Sequence, residues 1–221
     1  MRSLNAEDLV RWCGLAGVVS GVALIAGQLS FWLLVPDSDA AREERQALVF
    51  TTAVIWLVAH ALLAPAIAGV YSQVYKRVGA FGGAGAVAAV LGTIGLCFYV
   101  LFLFPELIGF RPDTIDRAQV ALALQAIGEL GAASLLAGLF LLAVTMAVTR
   151  VFAPVGSSMV AAGALVAPFG LEDLAWLALG SCLIGLGVVW MGLLMMIGRT
   201  PSAKAARPAW PPSARGRQFR F

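Results

Sequence analysis

The chain has 221 residues, of which 61% are hydrophobic and only 12% are charged. A soluble domain carries about 25% charged residues, so this composition excludes a water-soluble globular protein and points to an integral membrane protein. The formal net charge of +3 hides a sorting of charge along the chain that decides the expected topology.

Residues 1–11 form a short polar head with Arg2, Glu7, Asp8 and Arg11. The first apolar span covers about residues 12–35. Its core exceeds the 7–15 residues of a signal-peptide h-region and no A-x-A site follows, so a retained anchor is expected. Pro36-Asp37 ends it, and the loop PDSDAAREERQ carries four acids and two arginines. The second span, about 47–75, holds His60 near its middle and Pro65 just beyond. Pro65 lacks an N–H and predicts a kink.

Lys76-Arg77-Val78-Gly79 reads as a tight basic turn. The third span, about 80–103, starts in small residues that allow close helix contact in lipid and closes near Pro105-Glu106. A loop follows in which Pro112-Asp113-Thr114 resembles a helix start, with Asp113 as N-cap and Asp116 three residues on. The fourth span, about 120–149, therefore starts in water before it enters lipid, and ends at Arg150. Pro154 opens a short fifth span, about 154–170, close to the ~17-residue minimum for crossing. Glu172-Asp173 suit the N-terminus of a sixth span, about 174–197. Residues 199–221 are rich in Pro, Arg, Ala and Ser, have no apolar period and read as a disordered basic tail.

The expected fold is thus an all-α polytopic bundle of six transmembrane helices. Six spans put both termini on one side. That side carries Arg2, Arg11, Lys76, Arg77, Arg150, Arg199, Lys204 and the tail arginines, against the acids Glu7 and Asp8. The opposite loops carry nine acids from Asp37 to Asp173 against Arg42, Arg45, Arg111 and Arg117. The positive-inside rule makes the topology N-in, C-in, in the inner or plasma membrane. Trp12, Tyr71 and Tyr75 fall at the inner interface and Trp32 and Trp176 near the outer one, as amphipathic rings do.

Few residues break the apolar pattern. Gln125 and Glu129 sit at i and i+4, on one face of the fourth helix. An ionisable group at the centre of such a helix costs about 2.5–3.5 kcal/mol on insertion scales, so Glu129 needs a reason to be there. His60 falls mid-span, Gln28 in the outer half of the first span, and Glu106 at the outer end of the third. Together these five residues form a band from mid-membrane to the outer mouth. One reading makes the band a shared, outward-opening polar site for a ligand or a proton. The other is structural: a protonated Glu129, His60 and Gln28 each bonding across helices. Lipid exposure of Glu129 stays open.

No metal site or cofactor is expected. His60 is the single histidine, and Cys13, Cys97 and Cys182 lie in separate apolar runs as small hydrophobes. The motifs H-E-x-x-H, G-x-S-x-G and G-x-x-x-x-G-K-[ST] are absent. Gly17-x-x-x-Gly21 and Ser181-x-x-x-Gly185 read as packing seams. The tail either anchors topology or grips anionic lipid through Arg215, Arg217 and Arg220. Nucleic-acid binding is not expected with so few charges. The abundance of Ala, Gly and Leu, with only Lys76 and Lys204 as lysines, suggests a bacterial source.

The order of parts resembles an uncharacterised bacterial family of six-span membrane proteins, a domain of unknown function. The resemblance covers about residues 10–198. It lies in the acidic loop after the first span, the basic turn YKRVG, the longer loop before the fourth span, and the junction RVFAPVG into a small-residue fifth span. It implies the topology and assigns no residue a role. Three functional readings remain: a small permease or substrate-binding subunit with Gln28, His60, Gln125 and Glu129 lining its site, a helper subunit that joins a partner membrane protein, and an intramembrane enzyme using Glu129 and His60 as acid and base.

Overall fold

A computed structural model describes residues 5–34, 45–107, 117–150, 154–171 and 174–198. The acidic loop after the first span, the Asp113 helix start, Glu172-Asp173 and the tail with Arg215, Arg217 and Arg220 lie outside the described residues. The described part is all helix and turn, without a strand. In order, the elements are α1 (Ala6–Leu34), α2 (Gln46–Leu107), α3 (Arg117–Thr149), α4 (Pro154–Val166), a 3-10 segment (Ala167–Leu171) and α5 (Leu174–Met196). Four of these, α1, α2, α3 and α5, contain stretches long and apolar enough to cross a membrane.

α2 is a hairpin. Its apolar stretch of 57 residues would be about 85 Å long as a straight helix, nearly three times the ~30 Å hydrocarbon core. The chain reverses at Gly79, whose dihedrals (φ 62°, ψ −162°) are non-helical and open only to a residue without Cβ. The two arms, 46–78 and 80–107, then lie side by side: a Cβ on Gly83 would come within 2.9 Å of the Tyr71 hydroxyl. The reversal is tighter than expected, because Lys76, Arg77 and Val78 remain helical and one glycine makes the turn. Pro65 sits within helical dihedrals, so Gly79 is the only break.

α1 starts at Ala6, earlier than the apolar pattern alone predicts, with Glu7 and Asp8 in its first turn, where acids suit the helix dipole. Pro154 opens α4 as expected, since its missing N–H is unused at a first helical position. The α-helix of that segment is only 13 residues, and a 3-10 segment of 5 residues continues it. The larger 3-10 rise stretches the two to about 30 Å together. At the end of α5 the chain leaves the helix through Gly198 at φ 68°.

The helices close into a ring: α1 packs on the hairpin and on α5, the hairpin on α3, α3 on α4, and α4 on α5. Large apolar side chains cover the outside, for example Phe81 at 75%, Val148 at 76% and Leu130 at 71% exposure. Exposed apolar cover on this scale has lipid as its natural solvent. Inside the ring, Leu63, Leu139, Leu142, Met146, Met191 and Met195 form the core with Ala59, Val74 and Val160.

The seams are backbone against backbone. Gly14 and Gly21 of α1 face Gly192 and Gly185 of α5, and Gly85 and Gly92 of the second hairpin arm face Gly138 and Gly131 of α3. A Cβ on Gly138 would stand 2.6 Å from the Gly85 carbonyl oxygen, and one on Gly185 2.7 Å from that of Gly21. The expected four-residue seams are only partly used: Gly21 and Gly185 are in contact, whereas Gly17 has ordinary clearance of 3.5 Å and Ser181 lines a cavity. The working spacing is seven. Gly138→Ala is expected to lower stability by about 1–3 kcal/mol, as overpacking against rigid backbone does, while Gly17→Ala stays near wild type. Thermal melting in detergent reads both, and equal losses would refute the close-contact account.

Candidate functional site

Two of the five flagged residues line one cavity inside the ring. Gln28 of α1 and His60 of the first hairpin arm are 2% and 6% exposed. Both line a cavity of about 120 Å³ with Trp56, Leu24, Leu135, Leu177 and Ser181, in the half of the ring away from the termini. The helix pairing that brings them together starts eight residues before Gln28. There the buried Ser20 Oγ donates to the Ala59 carbonyl at 2.8 Å, one residue before His60, and fixes how α1 lies on the hairpin. Gly27 then makes room for the indole of Trp56, whose Nε1 would stand 2.9 Å from a Cβ there. Phe31 and His60 hold that indole from two sides, with ring centroids at 6.2 and 5.8 Å.

The polar atoms of this wall are unevenly served. His60 Nδ1 lies 2.8 Å from the Trp56 carbonyl, one helical turn back. A carbonyl only accepts, so Nδ1 carries the proton and Nε2 is the ring nitrogen left over. Gln28 Nε2 and Trp56 Nε1 are buried donors without a hydrogen-bond partner. Each unpaired buried donor costs about 1–3 kcal/mol. Leu63 and Leu139 close the cavity toward the termini and also line a second, apolar void of about 20 Å³, floored by Met146, Met191 and Met195.

The expected single band therefore divides. Gln125 Nε2 donates to Glu129 Oε1 at 2.8 Å, and both side chains are exposed on α3. Glu129 lies about 30 Å along α3 from Arg150, the whole thickness of a hydrocarbon core. Neither residue lines the cavity of His60, so Glu129 and His60 share no site in which to act as acid and base. Glu106 falls in the last turn of the second hairpin arm, with its side chain outside the described residues.

Sequence reasoning passed over Trp56. The usable signal was its depth, since tryptophan favours the interfaces and this one stands in mid-run, one helical turn before the only histidine. No cluster of three His, Cys, Asp or Glu able to hold a metal occurs among the described residues. The three cysteines are free, half-buried and on different helices or arms. Neither family models, curated proteins nor solved structures show a match to this chain.

Gln28→Leu removes an unpaired donor at nearly constant volume and is expected to leave thermal stability unchanged or raise it by up to about 1–3 kcal/mol. Ser20→Ala breaks a made interhelical bond and is expected to cost about 0.6 kcal/mol, at most near 1.7. A Gln28→Leu variant that melts lower than Ser20→Ala would mean that the fold itself satisfies the amide.

Proposed function

We propose that this is a six-span membrane protein, N-in and C-in, that binds a small molecule inside its helix ring, as a permease or the binding subunit of one. The observation that carries the reading is the cavity wall itself: the buried polar residues Gln28 and His60 line one space with Trp56 and Ser181 in an otherwise apolar ring, and two buried donors of that wall, Gln28 Nε2 and Trp56 Nε1, have no partner. Buried polar groups are nearly always paired, so a cluster of unpaired ones indicates a missing partner. The apolar lining favours ligands that are themselves largely apolar.

Helix lengths support six crossings. The hairpin contributes two arms, and α4 with its 3-10 continuation reaches about 30 Å. Charge supports the orientation: Arg11 and the pair Lys76 and Arg77 stand at the termini end of the ring, with Arg150, the end expected to face the cytoplasm. With Arg150 there, Glu129 reaches the opposite surface. Its bond to Gln125 is then a rim feature.

Cysteine chemistry tests this on a chain with Cys13, Cys97 and Cys182 replaced. A membrane-impermeant maleimide added to intact cells is expected to label Glu129→Cys, and to label Arg150→Cys only after permeabilisation. Gln28→Cys is expected to react with small, neutral methyl methanethiosulfonate and to resist the bulky charged reagent. A folded Gln28→Cys variant inert to both would remove interior binding, and labelling of Arg150→Cys in intact cells would invert the topology.

A further inference from the structure

We propose that the hairpin turn and the end of α3 form a binding site for an anionic phospholipid. Its phosphate meets Lys76, Arg77 and Arg150, and its acyl chains run along Phe81 and Val148. The site lies at the termini end of the ring, away from the interior cavity. The contacts of Gly82 bring its parts together. A Cβ there would touch Val78 of the first arm and stand 3.0 Å from Thr145 Oγ1 of α3, so the turn and the last turns of α3 lie side by side. Arg77 adjoins Val78, and Arg150 lies five residues past Thr145, about 7 Å along the helix axis. Three cations from two elements thus stand at one level of the ring.

These charges lack a protein partner. Among the described residues no carboxylate pairs with Lys76, Arg77 or Arg150. Lys76 Nζ lies 5.6 Å over the Tyr75 ring, a contact that leaves its charge in place. Residues 1–4, 151–153 and 199–221 contain no acid. Glu7 and Asp8 stand in the first turn of α1, with Arg11 one turn on, so the charge of that helix end is already offset. Arg150 carries the clearest sign. It ends α3 at φ 49°, in the left-handed region where helix ends favour glycine. The turn gains nothing from an arginine, so what the position supplies is the side chain. Guanidinium groups pair with phosphate oxygens two at a time.

The surroundings select a lipid over free phosphate. Phe81 and Val148 flank these cations and are the two most exposed large apolar side chains of the described residues. A bare apolar surface beside a cationic rim has the amphipathic order of a phospholipid. One basic residue near the membrane surface favours an anionic lipid by about fivefold, and phosphatidylcholine, whose choline offsets its phosphate, lacks that gain.

The test uses the full chain in phosphatidylcholine vesicles, with Cys13, Cys97 and Cys182 replaced and a bimane on Val148→Cys. A second sample carries the bimane on Val155→Cys, exposed in the first turn of α4 at the same end of the ring. Quenching by phosphatidylglycerol with brominated chains is compared with quenching by brominated phosphatidylcholine. On Val148→Cys, the anionic lipid is expected to reach half-maximal quenching at a mole fraction at least tenfold below that of phosphatidylcholine. On Val155→Cys the two lipids are expected to quench alike. Adding Arg150→Gly is expected to keep the fold and lower the preference about fivefold, and Lys76→Gln serves if that variant fails to fold. Equal quenching by the two lipids on Val148→Cys overturns the site. So does an unchanged preference in both variants. An equal preference on both labels also overturns it and assigns the attraction to the basic tail. Inorganic phosphate and sodium chloride at equal ionic strength are expected to weaken the preference alike. A stronger effect of inorganic phosphate overturns the lipid as ligand in favour of the free anion.

Discussion

Everything in this fold depends on helices that touch backbone to backbone. In lipid no hydrophobic force draws two apolar helices together, so their association rests on dispersion contacts and short polar contacts, both of which need close approach. The chain meets this need with glycines seven residues apart: Gly14 and Gly21 against Gly192 and Gly185, Gly85 and Gly92 against Gly138 and Gly131, Gly156 and Gly163 against Gly187 and Gly180. A seven-residue repeat keeps one face toward its partner along helices that run nearly side by side, whereas a four-residue repeat brings helices together at a steeper crossing. Three such seams, with the hairpin turning at Gly79, make three of the contacts of the ring, and side-chain packing of α1 on the hairpin and of α3 on α4 completes it.

Close seams send the bulk elsewhere. Large side chains that cannot enter a glycine seam either face outward, as Phe81 and Leu130 do, or fill the middle of the ring, as Leu63 and Met146 do. The filling is uneven. Toward the termini three methionines take up the interior, flexible side chains suited to irregular gaps. On the other side, the corresponding space is bordered by Gln28, Trp56 and His60. The division falls at Leu63 and Leu139, which touch both spaces. One end of the ring is filled by methionines around a small void of about 20 Å³, and the other holds the larger cavity of about 120 Å³.

Helix positions were legible in the sequence, because hydropathy and length decide them in lipid. The turn at Gly79 was legible as well, from its basic residues and glycine, although only the backbone reveals that Val78 is still helical. The site was legible by half. His60 and Gln28 interrupt apolar runs and line one cavity. Gln125 and Glu129 interrupt one too, but hydropathy cannot tell a group inside the core from one at its rim when the helix continues past the membrane. Counting back from Arg150 sets Glu129 about 30 Å away along the same helix, one hydrocarbon thickness. Trp56 carries no polar signature in a hydropathy profile, and its free N–H becomes visible only when Gly27 and Phe31 are seen around the ring. The seven-residue glycine spacing was present in the sequence but hidden among the twenty-four glycines, most of which also form shorter patterns.

Two residues on α1 set paired polarity beside unpaired polarity. Ser20 is fully buried and has its partner in the Ala59 carbonyl. Gln28, two turns on and equally buried, has none for its Nε2. If Gln28 only joined helices, it would be expected to do what Ser20 does, since the first hairpin arm runs beside it and offers carbonyl groups. The third orphan, Ser157, is a single hydroxyl away from this cavity, and the cost of one such group is readily absorbed. Gln28 and Trp56 differ because they share one wall with an imidazole whose second nitrogen is free. A sequence that satisfies its local rules nearly everywhere and breaks them several times around one cavity has the pattern of a binding site, in which stability is given up for recognition.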